Sequence, residues 1–99
     1  MIARVATIEG GDPNRSGEVL SYVRANVIPE MRRTPGLKRA MTLLDRDNRK
    51  VLAISFWESE DEIGSAEARF EELNKDIPDI GQSRTGVDLY EVILDEDMS

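Results

Sequence analysis

Val51-Leu52-Ala53-Ile54-Ser55-Phe56-Trp57 is a run of β-formers with no room for a polar face. Alternation puts Val51, Ala53 and Trp57 on one side and Leu52, Ile54 and Phe56 on the other. A strand that is apolar on both faces is buried on both faces. On its N-terminal side, Asp45 to Lys50 is a polar turn around Asp47-Asn48, preceded by Leu37 to Leu44. Two strands joined by such a turn predict a hairpin. In the first of them Met41 and Leu43 oppose Ala40 and Leu44, again apolar on both sides.

On its C-terminal side, Ser59-Glu60-Asp61-Glu62 has the capping-box pattern of a helix start. The stripe Ile63, Ala66, Phe70, Leu73, Ile77 then steps by threes and fours, as one helix face does. Pro78 to Gly86 reads as a loop and Val87 to Leu94 as a last strand. Before the hairpin, Ile2 to Ile8 is a β-branched segment ending at Gly10-Gly11. Asp12-Pro13 opens a helix there, with Asn14 or Ser16 as other cap positions. Val19, Val23, Val27 and Met31 recur every four residues, Pro29 should kink the helix or begin its last turn, and Thr34-Pro35-Gly36 stops it.

The order is β-α-β-β-α-β, the ferredoxin-like split βαβ arrangement: an α+β fold with a four-stranded antiparallel sheet and two helices on one face. Two helices cover one face, and nothing in the chain remains for the other. The strand patterns therefore predict a homodimer packed sheet to sheet, forming an α+β barrel. A charge placed at either Ala53 or Ile54 is then expected to unfold the chain.

Ninety-nine residues make a single domain over 1–99, with Asp95 to Ser99 expected to fray. There are 13 basic and 20 acidic residues, net −7, the wrong balance for a nucleic-acid partner. With no cysteine and no histidine, disulfide and thiolate chemistry and the commonest general base and metal ligand are absent. No metal site is predicted: the carboxylates Glu58, Glu60, Asp61 and Glu62 suit a helix start rather than a ligand set. Glu67, Glu71 and Glu72 read as a solvated helix face. No run reaches a membrane span, and Met1 to Gly10, with Arg4 and Glu9, lacks the apolar stretch of a signal peptide, so the expected compartment is the cytoplasm.

Four segments together carry a family resemblance: Val27-Ile28-Pro29, Thr34-Pro35-Gly36-Leu37, Leu43-Leu44-Asp45-Arg46 and Ser55-Phe56-Trp57-Glu58-Ser59. In their order and spacing, over about residues 2 to 94, the chain resembles the antibiotic biosynthesis monooxygenase-like family of dimeric α+β barrels. The resemblance implies a small monooxygenase oxidising a phenolic or polycyclic aromatic molecule without a cofactor. It also leaves open a non-catalytic barrel that binds a small hydrophobic ligand, or a structural dimer module. The family's haem-degrading members place a histidine on the second helix and an asparagine on the first strand; this chain has neither, so no haem is expected.

By the same resemblance Trp57 lines the cavity between helices and sheet and stacks on a flat substrate; as a lone tryptophan at a strand end it fills core equally well. Candidate donors to a substrate anion are Asn26, Tyr22, Arg39, Tyr90 and Trp57. Alternation sets Arg39 beside Leu37, Met41 and Leu43, where it either meets a substrate anion or makes an intersubunit ion pair. Tyr90 either donates to a ligand or packs with its hydroxyl at an edge. Phe70 and Met41 suit a cavity wall and plain packing alike.

Overall fold

The computed structural model describes residues 1–99. Strands β1 (Ile2–Glu9), β2 (Leu37–Asp45), β3 (Lys50–Trp57) and β4 (Ser83–Glu91) form one antiparallel sheet in the order β2-β3-β1-β4. The fold is the predicted ferredoxin-like α+β arrangement. The hairpin turn forms as expected: Asp45 accepts from the backbone N–H of Asn48 (3.3 Å) and from its Nδ2 (2.7 Å), and Arg49 takes the left-handed conformation. These hydrogen bonds stabilise the charged form of Asp45 and hold its carboxyl below the usual range.

The first helical run is continuous but not uniform. It comprises a 3-10 turn at Pro13–Arg15, α1 (Ser16–Tyr22), a π-helical turn at Val23–Val27 and α2 (Ile28–Arg32). Asp12 is the cap, accepting from Asn14 N–H at 2.9 Å, in place of Asn14 or Ser16. The strict four-residue spacing of the stripe has a physical reading here. Four residues overshoot an α-turn by about 40°, so the stripe would wind off the core. The wider π turn takes up that drift just before Pro29, where an α-helical hydrogen bond is lost in any case.

The second helix, α3 (Glu60–Asn74), ends before Ile77, which lies in the following turn. Its expected capping box does not form. Ser59 has the extended backbone of an N-cap but makes no side-chain hydrogen bond. The Glu62 carboxylate instead fills the space beside Gly36, where its Oε2 is buried without a hydrogen-bond partner. Gly36 has φ +80° and its carbonyl accepts Glu58 N–H at 2.9 Å, joining the start of β2 to the start of α3. A Gly36→Ala variant is expected to lose about 1–2 kcal/mol from the left-handed backbone alone. Its Cβ would also overlap the Glu62 carboxylate. Urea midpoints should show Glu62→Ala recovering the second part of the loss but not the first.

The last strand starts at Ser83, within the stretch read as a loop, and ends at Glu91 rather than Leu94. Ser83 and Arg84 pair with Glu9 and Ile8, across a bulge that leaves Thr85 out of register. Beyond Glu91 there is no more of β1 to pair with. Val92 N–H reaches Met1 O (2.9 Å), and Ile93 is 90% exposed.

Register assigns the faces. Trp57, Ser55, Ala53 and Val51 lie level with Ile2, Arg4, Ala6 and Ile8. This is the helix side, since Trp57 packs with Ile63, Ala66 and Phe70 of α3. The opposite side carries Leu52, Ile54, Phe56, Met41, Leu43 and Val5, with no element of the chain over it. Only six residues are buried, among them Val27, Trp57 and Ile63. Both helices lie over one face of the sheet, and even there the packing leaves open space.

Candidate functional site

That space lies between the helices and the sheet and has two connected compartments. The inner one, about 260 Å³, is walled by Trp57, Phe70, Val23, Val27 and Ile63. The outer one, about 420 Å³, opens toward the β2–β3 turn between Leu44, Val51, Pro13 and Ile80. Ile8, Val19, Leu20, Ile77 and Arg84 border both, so they make one continuous cleft. Mostly apolar walls with a few polar groups at this size fit a small-molecule site. The outer compartment is the larger, but the aromatic side chains lie in the inner one.

Trp57 is the last residue of β3 on the helix side. The chain turns away immediately after it through Glu58, so the indole projects over the end of the sheet beneath α3. It is 3% exposed, and its Nε1 donates to Ser55 Oγ at 2.8 Å. Phe70 meets it edge to face, with centroids 6.5 Å apart at 72°. The indole also packs on Ile63 and Ala66, so the pair is both buried core and one wall of the inner compartment. Ser55 keeps its own O–H to donate.

The polar floor comes from residues that the sequence did not single out. Arg4 projects from β1 between Ser55 and Leu89 in register, and Arg84 projects from β4 beside Ile8. One helical turn apart on α3, Glu67 stands 3.8 Å from Arg4 and Glu71 stands 3.9 Å from Arg84. The Arg4 side chain is 19% exposed. Burial draws its pKa down, Glu67 and Glu71 raise it, and Arg84 lowers it as a like charge. Glu67, Glu71 and Glu72 are all exposed, the solvated face expected; the first two stand near the arginines and Glu72 pairs with Lys75 at 2.6 Å. A legible signal existed for Arg4. It is the one charge among Ile2, Ala6 and Ile8 on the apolar side of a central strand.

The predicted site is only partly assembled. Of the candidates, Trp57 and Phe70 come together. The Tyr22 hydroxyl donates to Leu73 O at 2.9 Å, tying α1 to α3 outside the cleft. Asn26 is exposed and donates to Tyr22 O at 3.1 Å. Arg39 does not share a side with Leu37: the strand pairing skips Lys38, which reverses the alternation and sends Arg39, Met41 and Leu43 to the open face. Met41 borders the inner compartment, but register pairs it with Ile54, on the side away from Trp57. Tyr90 lies on the open face opposite Ala3 and is 57% exposed. No group of acidic side chains gathers to hold a metal ion. No helix is long and apolar enough to cross a membrane.

No protein-family model matches the chain, and no curated protein matches its sequence. Solved structures do match its shape. A Bordetella bronchiseptica structure assigned as an antibiotic biosynthesis monooxygenase superposes with a TM-score of 0.73 at 18% identity, over 94% of this chain and 97% of that one. The heme-degrader MhuD of Mycobacterium tuberculosis, solved with two hemes in its active site, gives 0.71 at 16% identity over 98% and 100%. A Streptomyces coelicolor monooxygenase in complex with nanaomycin D gives 0.69 at 20% identity over 96% and 92%. At such identities the likeness is one of fold, and it spans nearly the whole of each chain. This chain has the α+β fold of the antibiotic biosynthesis monooxygenase structures.

Proposed function

We propose that the chain is a small monooxygenase of the antibiotic biosynthesis type, oxidising a phenolic or polycyclic aromatic compound in the cleft against Trp57. The observation that carries this reading is an open, mostly apolar cleft bordered by the packed Trp57–Phe70 pair, with Ser55 and Arg4 on its floor. A flat ring slides against such a wall, and the donors steady the negative charge of its phenolate form. An electron-rich phenol or anthrone can supply all the electrons itself. One oxygen atom of O2 becomes the new quinone carbonyl, and the other leaves as water with two substrate hydrogens, both from the ring CH2 of an anthrone or one C–H and one O–H of a phenol. No external reductant is consumed, consistent with a chain that has neither histidine nor cysteine.

Haem chemistry, as in MhuD, does not fit these residues. The lining has no histidine, cysteine or tyrosine to ligate iron, because the Tyr22 hydroxyl is held by Leu73 O and Tyr90 is on the other face. The test is oxygen uptake with a panel of anthrones and dihydroxynaphthalenes, corrected for spontaneous oxidation. Quinone should form in step with oxygen loss and be indifferent to chelators. Phe70→Leu, which frees the indole but keeps apolar volume, should slow it by about three- to tenfold. A folded protein that accelerates oxidation of no member of the panel defeats the proposal.

We also infer that a second copy of the chain covers the open face of the sheet. With six residues buried in 99, the chain alone encloses little core. Leu52, Ile54, Phe56 and Met41 are only half-buried on the open side, and Leu43 is 47% exposed. Two copies face to face would bury both sets at once.

A further inference from the structure

We propose that the substrate carries an anionic group, a carboxylate on the aromatic skeleton, and that Arg4 and Arg84 are the residues that select it. The inference rests on the reading of the cleft as an aromatic site and names which aromatic compounds it admits.

The first ground is how loosely these arginines are held. A largely buried arginine such as Arg4 ordinarily meets a carboxylate in a close, often bidentate pair, near 2.8 Å, and Arg84, 48% exposed, is free to do the same. Arg4 stands 3.8 Å from Glu67 and Arg84 stands 3.9 Å from Glu71, both beyond hydrogen-bond range. Neither guanidinium donates to any other protein group, and both residues line the cleft. The exposed pairs Lys38–Glu58 and Lys75–Glu72 are tighter, at 2.8 Å and 2.6 Å, and Arg84–Glu71, about as exposed as Lys38–Glu58, is looser than either. Glu67 and Glu71 neutralise the arginines at a distance without occupying their donors. A ligand carboxylate can take those donors and leave the glutamates in place.

The second ground is position. Arg4 is level with Ser55, which holds the indole nitrogen of Trp57. Directly paired residues of neighbouring strands have Cβ atoms about 5 Å apart. A ring lying against Trp57 and Phe70 therefore brings a substituent on its edge to Arg4. Arg84 borders both compartments, on the route from the mouth to that point.

The third ground is charge. The chain as a whole is −7, which repels anions at long range. The cleft does not share that excess: Arg4, Arg84 and Arg49 line it against the carboxylates Asp12, Glu67 and Glu71, and Lys75 at its rim is paired with Glu72. Asp12 is engaged in capping Asn14 N–H. Arg49, placed at the mouth by its left-handed backbone, has no carboxylate within ion-pair distance.

Trp57 is the only tryptophan, so its emission reports on the inner compartment in the whole protein. We would titrate a hydroxynaphthoic acid and its neutral carboxamide, a pair alike in ring and size. The acid should bind about tenfold more tightly than the amide. Arg4→Gln should abolish that preference by weakening the acid alone, and Arg84→Gln should reduce it. Glu67→Gln should act in the opposite direction, tightening the acid by about threefold because it removes the competing charge. This keeps the test decisive if Arg4→Gln fails to fold, since a merely structural pair would show no gain in binding when broken. Equal affinity for acid and amide, or an Arg4→Gln loss shared by both, overturns the proposal and leaves the aromatic-site reading standing. If neither compound changes Trp57 emission, both fall. If the acid binds selectively but no phenol is oxidised, the selectivity stands and the monooxygenase reading fails.

Discussion

Trp57→Ala is expected to leave a chain that no longer unfolds cooperatively in urea at 25 °C. Removing a buried tryptophan costs about 3–5 kcal/mol. A chain of this length has about 5–15 kcal/mol in total, and one with six buried residues belongs low in that range. Trp57 is also the centre of the one buried cluster, against Ile63 and Ala66, with Ile2, Leu37 and Phe70 packed on it. Losing it releases α3 from the end of the sheet where β1, β2 and β3 meet. Trp57→Phe should cost far less, about 1–2 kcal/mol. It keeps an aromatic edge for Phe70 and gives up chiefly the hydrogen bond to Ser55. Circular dichroism during urea titration separates the two. A Trp57→Ala variant that melts within about 1 kcal/mol of the parent would show that the indole is a cavity wall and not a support.

Trp57 serves both purposes, which explains what could be read in advance. β3 was legible because seven consecutive residues had no polar side, and α3 because its stripe is regular. That the tryptophan ending the one and the phenylalanine inside the other meet is a fact of the packing. The site's polar half was not legible in the same way. Arg4 and Glu67 become partners only when the sheet order sets β1 under α3, a non-local fact that no spacing encodes. Arg39 was misplaced by a single skipped residue in the strand pairing. Period-two reasoning carries a side chain to the wrong face after any bulge, and Lys38 offers no glycine or proline to announce one. Ser83 to Thr85 looked like loop because an edge strand needs no apolar side chain to hydrogen-bond to its neighbour. Glu62 matched the capping pattern, yet the space next to Gly36 drew its carboxylate elsewhere.

An open cleft and a small core are one property seen twice. The walls of the cleft are side chains that, in a fully packed domain, would bury one another. Leaving them apart costs cohesion that the chain must recover at another surface. The open face of the sheet is the surface with apolar groups to spare, and so the inferred second copy and the inferred ligand site are physically linked.

That link yields the sharpest contrast available in this chain, between neighbouring residues on β3. From the sequence, a charge at Ala53 or at Ile54 looked equally ruinous. The register separates them: Ala53 faces the helices opposite Ala6, which is 5% exposed, and Ile54 faces away from them opposite Val5. Ile54→Glu should leave each chain folded, because in the single chain that face is open and the carboxylate stays hydrated. In the assembly it would bury an unpaired charge, at about 3–5 kcal/mol. In a two-fold interface the charge enters twice, so association should weaken by at least about two orders of magnitude. Ala53→Glu should instead lower the melting temperature of the chain itself, since its bulk and charge must fit between sheet and helices. Sedimentation velocity with parallel thermal melts decides the matter. The expected pattern is a dimeric parent, a folded monomer for Ile54→Glu, and a destabilised protein for Ala53→Glu. A parent that sediments as a monomer at high micromolar concentration, or an Ile54→Glu variant that remains a dimer, would mean that the open face is not where two copies meet.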